Sequence, residues 1–242
     1  MEKKERLDKV LSNMGYGSRK DVKELCRKGL VKIDGEVIKD RSYKFNPFKS
    51  KIELEDEEVI YREYIYLMMN KPQDVISATY DNRSETVIDI IDDEYKIFDP
   101  FPVGRLDKDT EGLLLISNDG KLAHQLLSPK KHVEKTYYAE IQGVVTEEDG
   151  RKFSEGVYIE DDYKTLPAKL EIIESDQISK INLTIVEGKF HQVKRMFEAV
   201  EKKVIYLQRI SMGTLKLDED LELGEYRELT ESELNELKES VK

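Results

Sequence analysis

A run of four apolar residues, Leu113-Leu114-Leu115-Ile116, follows directly on a glycine-bounded acidic turn, Gly104-Arg105-Leu106-Asp107-Lys108-Asp109-Thr110-Glu111-Gly112. A short apolar run bounded by turn signals reads as a buried strand. The chain therefore has to fold around a sheet that takes this strand inside it. The turn then lies at the rim of that sheet and presents the Asp107 carboxylate there. Rigid elements place reactive groups better than loops do, so Asp107 is the first candidate for chemistry.

Asp107, Asp109, Glu111 and Gly112 also fall at positions 1, 3, 5 and 6 of a calcium-binding helix–loop–helix. Such a loop needs a bidentate Glu at position 12 and a helix on either side. Asn118 stands at that position, and the flanks are Phe98-Asp99-Pro100-Phe101-Pro102 and the apolar run. The calcium reading is set aside on both counts. The blander alternative, a solvated acidic turn, is opposed by the residues around it.

The chain has 242 residues, enough for one large domain or two smaller ones. Its 38% hydrophobic content is low but builds a core at this length. No stretch approaches the ~20 apolar residues of a membrane span. The N-terminus lacks the apolar run of a secretory signal. A cytoplasmic protein with no membrane partner is expected. The one cysteine, Cys26, forms no internal disulfide and reads as a buried structural thiol. Three widely spaced histidines, His124, His132 and His191, give no metal-ligand pattern.

A net charge of −11 argues at first against a nucleic-acid partner. Its distribution reverses that. Residues 1–51 carry 15 Lys and Arg against 8 Asp and Glu, a net of +7, and the remaining 191 residues carry 25 against 43, a net of −18. Binding to phosphate follows the local patch rather than the total.

Residues 6–28 read as two short helices. Leu7, Val10, Leu11 and Met14 share one helical face, Gly15-Tyr16-Gly17 breaks the chain, and Val22, Leu25 and Cys26 resume the face. Ser18 is the expected N-cap and Gly29 the expected stop. Leu30 to Ile38 reads as a hairpin turning at Asp34-Gly35. Arg6, Lys9, Arg19, Lys20, Lys23, Arg27, Lys28 and Lys32 stand around these elements. The acidic stretch Glu53-Leu54-Glu55-Asp56-Glu57-Glu58 ends this region, with Ile52, Leu54, Val59 and Ile60 available to pair as strand residues. The boundary is placed near 60, giving domains 1–60 and 61–242.

Beyond it, Tyr64 to Pro72 reads as a buried strand and Thr86 to Ile91 as a short helix. Helices are expected over Gly120 to Leu127, His191 to Val200 and Glu231 to Glu239, with Lys202 and Lys203 on a basic surface helix. Lys135 to Ile141, Lys169 to Ile173 and Ile181 to Val186 read as strands. Many strands with few, unevenly ordered helices give an α+β fold with a mixed, largely antiparallel sheet.

Arg6-Leu7-Asp8-Lys9, Gly17-Ser18-Arg19-Lys20 and Gly29-Leu30-Val31-Lys32-Ile33-Asp34-Gly35 together resemble the S4 RNA-binding module. The resemblance implies that the eight basic residues just named contact RNA; a solvated basic face is the plain alternative. Gly104-Arg105-Leu106-Asp107, Thr110 and Gly112-Leu113-Leu114 resemble the catalytic motif of the pseudouridine synthases that modify ribosomal RNA. Module order and three separated motifs make the whole chain similar to an RsuA-type enzyme.

That resemblance implies site residues. Asp107 matches the catalytic carboxylate, and a carboxylate can act covalently at an anomeric carbon. Its attack on C1′, attack on C6 and a part in ribose deprotonation stay open. Tyr137, in Glu134-Lys135-Thr136-Tyr137, matches the aromatic beneath the target base, and period-two alternation puts Tyr138 on the opposite face. Lys194, in Glu187-Gly188-Lys189-Phe190-His191-Gln192-Val193-Lys194-Arg195-Met196, matches the basic residue that pairs with the carboxylate. Lys pairs as a point charge, without the fork of an Arg. Arg105, His191, Gln192 and Lys71 are expected around the substrate, with His191 and Gln192 shaping the site or contacting RNA and the Lys71-Pro72 motif mainly structural; Asp109 has no matched role.

Isomerising uridine needs no redox change or added group, so neither metal nor organic cofactor is expected. The expected partner is ribosomal RNA or an assembling subunit, met by a monomer. The His132 to Tyr137 and Phe190 to Met196 contexts lean toward the small-subunit branch, whose product is pseudouridine 516 of 16S rRNA. Large-subunit 23S rRNA is the runner-up. A non-catalytic S4-type assembly protein would not need the Asp107, Tyr137 and Lys194 set. A glycoside hydrolase would want a second acid, and no motif supports Asp109 or Asp119 in that role.

Overall fold

Ser18 and Gly29 fix the ends of the first well-formed helix. In the computed structural model, which describes residues 4–159 and 163–242, the helix Arg19–Lys28 starts at a Ser18–Asp21 capping box. It stops at Gly29, whose φ of 76° is a left-handed conformation that a side chain would disfavour. With the helix Leu7–Asn13 it encloses Leu7, Val10, Leu11, Val22 and the buried free thiol of Cys26. Strands Val31–Ile33 and Glu36–Val37 turn at Asp34-Gly35. The acidic stretch is itself a hairpin, Ile52–Leu54 against Glu57–Glu58, turning at Glu55-Asp56. Val59 is buried and Ile60 is exposed. These elements belong to one unit, Met1–Ile65 with Asp92–Pro100; Tyr66–Ile91 with Phe101–Lys242 forms the other.

The second unit is built on one sheet. Seven of its strands are numbered here in chain order: β1 (Tyr66–Lys71), β2 (Glu111–Ser117), β3 (Lys135–Gln142), β4 (Lys169–Glu174), β5 (Ile178–Ile185), β6 (Lys203–Met212) and β7 (Tyr226–Glu228). Their spatial order is β4-β5-β3-β6-β2-β1-β7. Every pairing along it is antiparallel except β6 with β2, where Gln208 meets Glu111 and Arg209 meets Gly112 in parallel. The fold is α+β. β2 is buried at every residue, as its apolar run requires. Leu113 and Leu115 join a core with Leu122, Leu126 and Leu237, from the helices Gly120–Leu127 and Glu231–Ser240. Leu114 and Ile116, on the other face, are equally buried.

The structure corrects several expectations. Thr86 to Ile91 forms turns, not a helix. Asp89 accepts from the Thr86 N–H and hydroxyl, and Thr86 Oγ1 accepts from the Asp89 N–H, so local side-chain bonds displace the helical ones. Lys202 and Lys203 lie on no surface helix: Lys203 opens β6, and Lys202 pairs with buried Asp149 at 2.9 Å. The helix Glu147–Glu155 was not foreseen, because Phe153 is its one buried apolar residue.

From β7, Arg227 reaches both carboxylate oxygens of Glu233, with N–O distances of 2.8 and 2.9 Å. The Arg227 hydrogen bonds hold the Glu233 carboxyl down to about 2. A depressed carboxyl contributes stability above its unfolded value and loses it as pH falls through the folded one. Glu233→Gln is expected to cost about 1.5–3 kcal/mol at neutral pH. The gap to wild type should close between about pH 4.5 and 2, as urea unfolding across that range would show.

Candidate active site

Asp107 lies on the turn that leads into β2, and β1 with the loop after it holds that turn in place. Buried Ser77 donates from Oγ to the Leu106 carbonyl and accepts from the Leu106 N–H, both at 3.0 Å. Lys71, wholly buried, donates from Nζ to the carbonyls of Pro72 at 2.8 Å and Thr110 at 3.0 Å. The Thr110 N–H donates to the Asp107 carbonyl at 3.1 Å. The backbone is thus fixed while the Asp107 side chain stays 27% exposed in an open cleft.

The far wall comes from β3 and the segment before the helix Gln192–Glu198. Tyr137 is buried in that wall, and its hydroxyl makes no hydrogen bond among the described residues. Tyr138 faces the other way and meets Tyr206 edge to face. Lys194 Nζ lies 3.4 Å from Asp107 Oδ2, and His191 Nε2 lies 3.6 Å from Asp107 Oδ1. Each carboxylate oxygen therefore has a basic group beside it. Arg105 and Lys189 line the same cleft.

Two of the residues expected around the substrate take the supporting part of their expected roles. Lys71 has no exposed surface and supports the turn instead of meeting substrate. Burial pushes its ammonium down to about 8, against the pull of Asp109 and Asp107. Gln192 borders the cleft, but it is buried and its amide is committed: Oε1 accepts from the Lys189 N–H at 2.9 Å and Nε2 donates to Glu187 at 2.8 Å. It sets the start of the helix that carries Lys194.

Four groups have no role assigned from the sequence: Asp109, Glu187, Arg209 and Ser77. Asp109 takes the shorter bond to Lys194, at 2.6 Å. Burial would raise its carboxyl, but the Lys194 hydrogen bond and charge outweigh that and hold it below the usual range. Glu187 also accepts from the Tyr163 hydroxyl at 2.6 Å and the Leu166 N–H at 2.9 Å, so it ties down the loop ahead of His191. Arg209, directly across from Tyr137, is buried and donates from Nε to the Leu113 carbonyl at 2.8 Å. A buried Arg or Ser77 leaves no periodic signal; Asp109 was visible but had no motif.

In the first unit the eight basic residues expected to contact RNA divide into two groups. Arg6, Lys9, Arg27 and Lys32 pair with Asp8, Glu5, Glu24 and Asp56. Among the described residues, Arg19, Lys20, Lys23 and Lys28 make no ion pair, and all four lie on the helix Arg19–Lys28.

Comparison with known proteins follows the same division. Residues 65–199 match the family described as RNA pseudouridylate synthase, and residues 5–48 match the S4 domain. The chain is 55% identical to YtzG of Bacillus subtilis (strain 168), an uncharacterized RNA pseudouridine synthase, over 97% of this chain and 98% of that one. It is 40% identical to the ribosomal small subunit pseudouridine synthase A of Vibrio cholerae, over 95% and 97%. It is 39% identical to the ribosomal large subunit pseudouridine synthase B of Bacillus subtilis, over 97% and 96%. A crystal structure of a pseudouridylate synthase shares the fold with a TM-score of 0.67 at 38% identity, covering 96% of this chain and 99% of that one.

Proposed function

This chain belongs to the RNA pseudouridylate synthase family, and on that premise we propose that it isomerises a specific uridine of ribosomal RNA, with Asp107 as the essential carboxylate. The observation that carries the reading is the cleft itself: Asp107 with Lys194 and His191 at its two oxygens, and Tyr137 opposite. The N1–C1′ bond breaks, the uracil turns, C5 bonds to C1′, the C5 proton leaves and N1 gains one. Nothing external stays in the product, so the chain needs only to hold, orient and shuttle protons. Asp107 works at the ribose and base. Tyr137 supplies a ring for the uracil to stack on, with an open hydroxyl for the C5 proton. Lys194 balances the carboxylate charge, and Arg105 and His191 hold the surroundings of the flipped nucleotide.

The small-subunit RNA is the proposed substrate, on the Phe190 to Met196 context. The near-equal identity to a large-subunit enzyme favours 23S rRNA as the second reading. The test maps pseudouridines in both RNAs from a cytoplasmic extract of a strain lacking the protein. Loss of one site, restored by the wild-type chain and not by Asp107→Asn, is expected. An unchanged map in both RNAs would overturn the proposal.

Residues 1–60 are proposed to dock RNA beside the target. Flipping a base costs a few kcal/mol, and a docked module offsets this by raising effective concentration. Neutralising Arg19, Lys20 and Arg27 together should flatten the slope of log affinity against log salt by about 2–3, at ~0.7–0.9 per phosphate contact. Turnover at saturating RNA should persist. A binding series in salt with single-turnover kinetics checks both, and an unchanged slope would move the RNA surface elsewhere.

A further inference from the structure

Phe190, in the segment that borders the cleft, has 68% of its surface exposed. A single exposed apolar side chain is ordinary on a protein surface. This one is built into a stack. Its ring lies 3.7 Å from that of His191 at 21° between planes, and the Arg195 guanidinium stands 5.1 Å from its centroid. His191 holds a left-handed φ of 51°, a conformation that a non-glycine residue keeps only where its surroundings enforce it. Lys189, on the other side, lies over the Tyr163 ring at 4.4 Å. Lys189 and Phe190 thus each take part in a ring–cation contact, on a domain whose overall charge is strongly negative.

Lys189 and His191 both line the cleft, and Phe190 between them does not. The Phe190 ring therefore lies outside the cleft lining, between two residues that form it. We propose that Phe190 is a stacking platform for the nucleobase flanking the flipped uridine, a proposal that rests on the RNA-modifying reading of the cleft. Flipping one base leaves its neighbour without a stacking partner. An exposed aromatic beside a cation fills that vacancy, because any base has a π face. The flanking phosphates meet Lys189 and Arg195.

The test uses full-length 16S and 23S rRNA transcripts with wild-type protein and Phe190→Ala, Phe190→Tyr and Phe190→Leu. Phe190→Ala is expected to raise KM about fivefold or more, in line with the loss of one stacked base, with kcat within about twofold. Phe190→Tyr should recover wild-type KM and Phe190→Leu should not. A short RNA abasic beside the modified uridine should raise the wild-type KM by the same factor and add nothing in Phe190→Ala. An unchanged KM in Phe190→Ala, full recovery by Phe190→Leu, or additive losses with the abasic RNA would each overturn the platform. If wild type forms no pseudouridine in either transcript, the functional reading itself fails; if wild type is active and the variants match it, only the platform does.

Discussion

Asp107→Asn is expected to lower single-turnover pseudouridine formation by at least about a thousandfold, some 4 kcal/mol of transition-state stabilisation. Binding of the rRNA transcript should change less than about threefold. The substitution removes the charge of the proposed catalytic carboxylate while keeping the shape. The surroundings favour a folded variant: the Leu106 backbone stays clamped by Ser77, and Lys194 keeps its 2.6 Å partner in Asp109. Loss of activity would therefore report on chemistry, not collapse. The check is quantified pseudouridine in the transcript alongside filter binding. Full activity in Asp107→Asn, with deamidation excluded by mass, would remove Asp107 from the mechanism.

Gly112→Ala is expected to have the largest effect on stability. The residue has a φ of +100°, and a Cβ there would lie 2.4 Å from the Arg209 carbonyl oxygen and 2.8 Å from the Arg209 nitrogen. Both obstacles are backbone, so relief requires opening the parallel pairing of β2 with β6. The cost should exceed about 4 kcal/mol, the range reserved for strain at a special backbone position combined with core disruption. Gly120→Ala, at a helix start with nothing within 4 Å, is the control and should lie within about 0.5 kcal/mol of wild type. Urea unfolding of the three proteins decides it. A Gly112→Ala midpoint matching that of Gly120→Ala would show that the seam yields.

The sequence was most legible where local chemistry is self-sufficient. Ser18 and Gly29 cap a helix by their own hydrogen bonds and conformations, Asp34-Gly35 turns a hairpin, and the Leu113 run is apolar on both faces. Tyr137 and Lys194 were legible as members of motifs, and period two separated Tyr137 from Tyr138. What stayed hidden depends on distant contacts. β6 alternates, but buried Arg209 occupies an inward position and Ile205 is exposed, so no apolar face stands out. Lys71 and Gln192 carry functional groups that suit a substrate, and only burial shows that both are spent on backbone and side-chain neighbours. Asp109 illustrates the opposite case: an exposed acid without a motif, brought to Lys194 across 85 residues of chain.

The parallel seam orders events during synthesis. Asp107 is on the turn leading into β2 on one side of it; Tyr137, in β3, and Lys194, on the helix before β6, are on the other. Chains emerge from the N-terminus and fold in that order. The basic module and the carboxylate leave the ribosome early, but β2 has no neighbour on the β6 side until residue 209 has been made. Closing a loop of that size comes before any contact repays its entropy. On the proposed function, a nascent copy could therefore hold RNA well before it could alter it, because the cleft is completed only once residue 209 has been made.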